Sequence, residues 1–537
     1  MKKLISILTA FSLVISLFVF GTGASADTTN KSYLLMSNSS DRNYVAKKGR
    51  SYYNDTSLRL TWSAAGYSVR FYGTELKTTM TADGTSGTLN VYVDKNKNQY
   101  YFNTEASSYS AARDEYNANC PHISLSDGKR TYTVVSGLAE GYHTVTLLKR
   151  AELDRSSNIS VNDIITDGYF CDPPAKSSRK IEIVGDSNAT GFGNMAMSGE
   201  SGDYNWYEQD ATLSFGAYCA EELAADYSIC AHSGATVTPG LAEGTLLDKY
   251  LQTDAYNGVT SEYDFEGGSD VVIIHLGDND HDATEAKGTS NYVKYLAQMI
   301  NQVRSKNPNA KIICVLSLAG YSDWHPYVQQ AIDASGDTNT YKYLNGNSNN
   351  GAPAGHALQK YHKILGLNLA AYIRTLMGWN GKVYETVADT ANSNISVNLP
   401  QSFYKAGDTV TFTPSVTGGQ VGSATVKTIG TTYGTNVAVA KSGSSFSFTM
   451  PSDRVLVSVE ASKQLLAGDI NLSGKSNAVD ALMALKYATK SLTLSSEQTA
   501  AGDVNGDGKL TTVDALIILQ YSVKKMVSYP VGEYVYF

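Results

Sequence analysis

Four residues, far apart in the chain, have the types an acyl transfer needs: Ser187, Gly234, Asn279 and His356. A serine hydroxyl becomes a nucleophile when a base takes its proton, donors hold the oxyanion and a further group orients the base. Ser187 ends the run Ile181-Glu-Ile-Val-Gly-Asp-Ser187, a four-residue strand broken by turn chemistry. At the carboxyl end of an α/β strand its hydroxyl is exposed and its backbone N–H faces a bound ligand. Gly-Asp-Ser is also an ordinary strand-to-loop turn, so the other three positions decide. Asn279 follows the apolar run Asp270-Val-Val-Ile-Ile-His-Leu-Gly-Asp-Asn279, at a second strand end. A side-chain amide donating to an oxyanion there contributes about 3–4 kcal/mol to the transition state. Gly234, in Ala231-His-Ser-Gly234, offers a backbone N–H that a ligand can approach closely.

The base is a late histidine. His356 lies in Gly351-Ala-Pro-Ala-Gly-His356, a loop before the last amphipathic segment, where the ring can turn towards the serine. His325, in Asp323-Trp-His-Pro326, follows a strand directly, and with Asp323 it forms the alternative pair. His362 falls inside the amphipathic segment and reads as structural or solvent-facing. Trp206 and Trp324 are candidate substrate-binding residues that could stack on a sugar, with Tyr207 beside them. Sequence spacing shows no metal cluster in this part of the chain.

Alternating elements must position these groups. Strands are expected at 181–184, 227–231, 270–276 and 311–317, and helices at 211–226, 289–305 and 359–377. That alternation argues for a parallel sheet covered on both faces. Before it, residues 27–175 look all-β: Tyr67–Tyr72, Leu89–Asp94, Tyr132–Ser136 and Tyr142–Leu147 are short alternating runs, as in a β-sandwich or jelly roll. Asp172-Pro-Pro-Ala-Lys-Ser-Ser178 reads as a linker, which sets the central domain at 176–385. Residues 395–462 form a small β module rich in Gly, Ser and Thr.

The last segment, 466–527, repeats itself with a period of 34 residues and is followed by a tail, 528–537. Its second copy sets Asp503, Asn505, Asp507, the Lys509 carbonyl and Asp514 at calcium-loop spacing, with Gly508 at the turn. The first copy sets Asp469, Asn471, Ser473, the Lys475 carbonyl and Asp480 in the same way around Gly474. Asn477 and Thr511 occupy the ninth loop positions, Thr511 acting through water. Helices are expected to follow at 481–490 and 515–523.

With 537 residues the chain needs three or four domains. Lys2 and Lys3, the apolar run Leu4–Phe20 and Ala24-Ser-Ala26 read as a secretory signal, residues 1–26. No later stretch reaches membrane-spanning length, so membrane insertion is not expected. A formal charge of −8 is a poor match for nucleic acid. Of the five cysteines, Cys314 sits in an apolar run as a buried thiol. Cys219 with Cys230, and Cys120 with Cys171, are possible pairs that the sequence leaves open.

Gly185-Asp-Ser187, Gly234, Gly277-x-Asn279 and the late loop histidine resemble, in order, the four blocks of the SGNH hydrolases. With Tyr67-Ser-Val-Arg-Phe-Tyr-Gly-Thr-Glu-Leu76 and Gly141-Tyr-His-Thr-Val-Thr-Leu-Leu-Lys-Arg150 upstream, residues 35–380 resemble carbohydrate esterase family 2. The resemblance implies a jelly roll joined to a three-layer, doubly wound α/β domain that removes acetyl groups from xylan or mannan with no catalytic cofactor. In it Ser187 is the nucleophile, Gly234 and Asn279 hold the oxyanion and His356 is the base. One position departs: Pro353 stands where such enzymes carry the Asp that orients the histidine, so a backbone carbonyl or a distant acid such as Asp323 must do it. The repeat resembles a type I-like dockerin. That implies two calcium ions, a cohesin partner reached through Ala478-Val479 and Thr512-Val513, and a secreted, extracellular, cellulosome-associated enzyme. The alternative is a non-catalytic carbohydrate-binding protein on an SGNH scaffold.

Overall fold

A computed structural model describes residues 31–536, apart from 84–86, 95–101, 153–157, 199–205, 242–243, 284–287, 317–321, 345–350, 390–393, 418, 463, 526–530 and 533. The expected signal segment, 1–26, lies outside the described residues.

Two antiparallel sheets pack face to face at the amino-terminal end. One runs Ser51–Tyr53, Leu58–Leu60, Asn158–Thr166, Leu76–Asp83, Gly128–Val135, and the other Tyr169–Cys171, Gly66–Gly73, Gly141–Lys149, Thr88–Val93, His122–Ser124. Alternation explains their core. Tyr67, Val69 and Phe71 are fully buried and cluster with Val91 and Val145 of their own sheet and with Met80 and Ile159 of the facing one. A helix, Tyr109–Asn119, interrupts the β pattern, with Ser108 capping its first turn through the Ala111 N–H.

The central domain holds five strands: β1 (Lys180–Gly185), β2 (Asp226–Ala231), β3 (Val271–His275), β4 (Lys311–Leu316) and β5 (Thr340–Leu344). All pair in parallel, in the order β2-β1-β3-β4-β5. Winding reverses beside β1, and open α/β sheets bind ligands at such a switch point. The helices are α1 (Ser187–Thr190), α2 (Phe215–Glu222), α3 (Thr289–Lys306), α4 (His325–Ser335) and α5 (Gln359–Met377), besides the single turn Asp278–Asp282 that follows β3. The helix expected over 211–226 is shorter. Ser214 caps α2 through the Ala217 N–H, and Asp226 already begins β2. Two elements were not expected: α4, with Pro326 in its first turn, and β5, a short edge strand.

The two domains share a buried seam. Arg50 of the β domain is fully buried and donates to Glu182 Oε1 in β1 and to the Tyr250 carbonyl, each at 2.7 Å. Tyr250 OH donates to the other Glu182 oxygen at 2.8 Å. Trp62 Nε1 donates across the seam to the Thr253 carbonyl at 2.9 Å.

The following β module begins earlier than 395. Val383–Ala388 pairs with Phe403–Lys405 and with Val455–Ser462, so this strand belongs to the module and not to the α/β domain. It brings Glu385, which takes both Glu385–Arg70 hydrogen bonds at 2.9 and 3.0 Å in a buried contact with the β domain. In the repeat segment the helices are Ala478–Ala488 and Thr512–Ser522, three residues earlier than expected, because Asn477 and Thr511 are their capping residues. A further helix, Ser496–Gly502, precedes the second loop. Strand Tyr534–Tyr536, from the expected tail, pairs with Gln464–Leu466. All five cysteines are buried and free, so neither possible pair forms. No helix among the described residues is long and apolar enough to cross a membrane.

Removing one partner of a buried ion pair strands the other charge and costs about 3–5 kcal/mol. Glu182→Ala should therefore lower the stability of both domains by about that amount, in one shared urea transition. Separate transitions, with the β domain unmoved, would contradict a common seam.

Candidate active site

Ser187 sits where β1 turns into α1. A Cβ on Gly185 would lie 2.5 Å from Ala189 Cβ and 3.0 Å from the His275 carbonyl, so only glycine lets the strand meet the helix this closely. Asp186 caps the turn by accepting the Asn188 N–H at 3.0 Å. Ser187 is 5 % exposed. Its hydroxyl lies 2.7 Å from His356 Nε2.

The ring of His356 is held from behind. Its Nδ1 lies 3.2 Å from the Pro353 carbonyl, and its backbone N–H donates to the same oxygen at 3.2 Å. With Nδ1–H donating to that carbonyl, Nε2 carries the lone pair that faces the serine. The carbonyl of Pro353 thus orients the His356 ring. Phe192 packs against the ring with centroids 4.4 Å apart. His362 is buried in α5. Its Nδ1 accepts the Phe215 N–H at 3.2 Å, and burial pushes its pKa down to about 3. Asp323 lies 3.7 Å from His281, and His325 opens α4 beyond β4, so this alternative pair is not at the serine.

The two other expected residues occupy neighbouring strand ends. Gly234 follows β2 with φ +78°, a left-handed conformation that suits glycine. Asn279 follows β3, and one of its amide hydrogens goes to the Ala235 carbonyl at 3.0 Å, which ties it to the Gly234 loop. Asp280 accepts the Val237 and Thr238 N–H groups at 3.0 and 2.9 Å and pins the same loop. Glu152 of the β domain holds it from the other side. Its buried carboxylate accepts the Ser233 N–H at 2.6 Å and the Ser233 hydroxyl at 2.5 Å. Nothing in sequence spacing linked Glu152 to this site.

Beneath Ser187 lies a buried group that spacing alone did not reveal, although its residues are of metal-ligating types. Asp186, His275 and Asp278 bring ligand atoms within 4.8 Å of one another. His275 Nδ1 is 3.4 Å from Asp186 Oδ1, and Asn188 Nδ2 donates to Asp278 Oδ2 at 2.9 Å. Burial pulls His275 towards its neutral form, but the Asp186 carboxylate outweighs this and holds its pKa up, to about 9. Burial lifts the Asp278 carboxyl above the usual carboxylate range. The structure therefore favours an imidazolium between two acids.

The proposed stacking residues fare differently. Trp324 is 4 % exposed and packs inside the core on Tyr292, with centroids 4.6 Å apart, so it cannot stack on a substrate. Its position beside a strand end looked open, but the indole closes the top of the α3–α4 layer. The side chain of Trp206 lies outside the described residues. Tyr207, next to it, is 42 % exposed.

Two outcomes follow. A histidine whose folded pKa exceeds its unfolded value stabilises fully below the unfolded value, and the gain is lost as pH rises through the folded one. His275 should thus contribute below about pH 6.5 and cease to contribute above about 9. Urea midpoints of the chain and of His275→Asn should converge over that window, whereas a constant gap would oppose the imidazolium reading. Glu152→Gln should lower kcat by about 100-fold with a smaller change in KM, since displacing the Gly234 loop misplaces a donor. An unchanged kcat would count against its positioning role.

Residues 183–348 match the model of the GDSL-like lipase/acylhydrolase family, and residues 467–521 match the type I dockerin domain. The chain is 28 % identical over 336 residues to the cellulase/esterase CelE of Acetivibrio thermocellus, covering 60 % of this chain and 38 % of the relative. It is 30 % identical over 221 residues to the acetylxylan esterase / glucomannan deacetylase of Cellvibrio japonicus, covering 37 % of this chain and 58 % of the relative. The match thus spans less than two thirds of either curated relative. A family two carbohydrate esterase from Clostridium thermocellum, solved in complex with cellohexaose, superposes with a TM-score of 0.53 at 26 % identity, over 62 % of this chain and 99 % of that one. The acetyl xylan esterase Est2A from Butyrivibrio proteoclasticus shares the fold, with a TM-score of 0.55 at 20 % identity. A β domain set on a GDSL-like acylhydrolase domain, followed by a type I dockerin, gives this chain the architecture of the family two carbohydrate esterases with a dockerin added.

Proposed function

We propose that the chain removes O-acetyl groups from plant cell-wall polysaccharide through an acyl-enzyme on Ser187, while its dockerin holds it to a cohesin on a scaffold. The contact between Ser187 Oγ and His356 Nε2 carries this reading, together with the Pro353 carbonyl behind the ring. That carbonyl also answers the ground for a non-catalytic alternative, which rested on the missing acid. The relative named for acetylxylan and glucomannan suggests the substrate class.

In this mechanism His356 Nε2 takes the Ser187 proton as Oγ bonds to the acetyl carbon. The carbonyl electrons move onto oxygen, which the Ser187 and Gly234 N–H groups and the Asn279 amide receive. Asn279 has a second amide hydrogen for this, beyond the one bound to Ala235. Collapse breaks the bond to the sugar oxygen, and His356 protonates that oxygen. A water then gives its proton to His356 and attacks the acetyl-serine, and acetate leaves as Ser187 regains its proton.

The repeat suits a hard cation. Asp480 and Asp514 are fully buried, and their oxygens accept backbone N–H groups of Asn471, Asn477, Asn505 and Thr511. Asp469 accepts from Ser473 and Gly474, and Asp503 from Gly506, Asp507 and Gly508. Each loop therefore turns oxygen ligands inward, the donor type calcium takes. Asn471, Ser473 and the Lys475 carbonyl would complete the first loop, with Asn505, Asp507 and the Lys509 carbonyl completing the second. Asn477 and Thr511 instead spend their side-chain oxygens on the Val479 and Val513 N–H groups, as helix caps. Bound calcium would offset the charge these loops gather.

Ser187→Ala and His356→Ala should each lower acetate release from acetylated xylan by at least about 1000-fold. Full activity in either variant would refute that residue's role. A chelator should abolish cohesin binding by the full chain and leave 4-nitrophenyl acetate hydrolysis intact. Cohesin affinity that ignores chelation would oppose the calcium loops.

A further inference from the structure

A cavity of about 510 Å³ opens between the β domain and the loop that follows α1. Tyr109, Arg113, Asn117 and His122 line it from the β domain, with Arg150 at the seam and Tyr207 opposite. Its size is that of a small-molecule site. Among the described residues the lining holds two guanidinium groups and no carboxylate. Gln209, also in the lining, donates to the carbonyl of Thr190, the last residue of the helix that Ser187 begins. The cavity thus adjoins the nucleophile's own turn.

Arg150 is 8 % exposed, yet its guanidinium is incompletely paired. Its Nε donates to Asn90 Oδ1 at 2.5 Å. The nearest acid, Asp210, is 3.5 Å from that nitrogen, and its oxygens already accept Asn90 Nδ2, Tyr116 OH and both Thr212 donors. Arg150 Nη2 is left with no hydrogen-bond partner, and so is Asn117 Oδ1. Buried polar groups without partners are rare, and a guanidinium only partly paired at a cavity wall leaves positive charge that favours an anion there. Burial and the Arg150 charge together lower the pKa of His122, so the positive potential reaches across the cavity. Arg113 is exposed and held by Asp114 alone at 3.3 Å, a weak pair that can exchange. Tyr109 and Tyr207 meet with centroids 5.5 Å apart at 52°, forming an aromatic corner. Such faces take the apolar side of a sugar ring.

We propose that this cavity is a subsite for a hexuronate, a sugar bearing a carboxylate, carried as a branch on the polysaccharide whose ester Ser187 attacks. The carboxylate meets Arg113 with the Arg150 charge behind it, and the ring lies against Tyr109 and Tyr207. The subsite rests on the esterase reading above, and it deepens that reading by selecting acidic over neutral branches.

The full chain is assayed on acetylated xylo-oligosaccharides with and without a glucuronic acid branch. The branched substrate should show a KM about tenfold lower, an advantage that shrinks with added salt. Arg113→Glu and Arg150→Lys should each erase the advantage. The readout is the KM ratio of the two substrates within one variant, so a general loss of activity does not imitate the effect. Equal KM values in the unaltered chain, or an advantage that survives both variants, would overturn the proposal. Calorimetry with a deacetylated, glucuronate-branched xylotetraose on Ser187→Ala separates it from the esterase reading. Binding there, lost in Ser187→Ala/Arg113→Glu, upholds the subsite even if the unaltered chain releases no acetate. Competition by plain acetate as strong as by the branched sugar would defeat it.

Discussion

The site depends on a carboxylate that the catalytic domain does not own. Glu152 reaches from the β domain and fastens Ser233, the residue before Gly234. A loop that must present a backbone N–H to developing charge gains nothing from being merely near; it has to be fixed before the charge forms. Asp280 does the same from β3. Buried acids recur throughout this architecture, each accepting backbone N–H groups at an element's end: Asp186 at α1, Asp210 before α2 and Asp280 at the β2 loop. A buried carboxylate is costly unless its oxygens are filled, and here the chain ends fill them. The catalytic face is rigid because its acids act as fasteners.

His356 is held by a different arrangement of charge. A carboxylate behind a histidine both orients the ring and stabilises the imidazolium. The Pro353 carbonyl orients it and carries only a dipole. It is nonetheless well placed, since the short turn Pro353–Gly355 returns the chain so that one oxygen serves both the His356 N–H and the ring. The acidic side chains of this region lie instead under Ser187, Asp186 and Asp278 with His275 between them.

Apolar runs ending in turn residues made β1 to β4 legible, and the strand ends then put serine, glycine and asparagine in neighbouring places. That is pattern reading, and it works because parallel strands are apolar throughout. The holder of His356 was not legible, because a backbone carbonyl has no residue type. Glu152 was not legible either, since its contact spans 81 residues and two domains. Trp324 misled because a large aromatic beside a strand end can close a core as easily as line a site. The early start of the β module at Val383 escaped because its short strand, half-buried and beside a helix end, pairs with a partner about 70 residues later. In the repeat, ligand order was plain, but the capping work of Asn477 and Thr511 changed where the helices begin.

The seam at Arg50 and Glu182 bears on how such a chain can be recombined. Cut between its first two domains, each piece would carry a charge that was buried only because of the other. Their smallest exchangeable cassette is therefore both together. The carboxyl-terminal module is the opposite case: Gln464–Leu466 and Tyr534–Tyr536 close it like a clasp, entrance against exit. A gene-level graft can move that clasped piece between chains intact, while the first two domains have to travel as a pair.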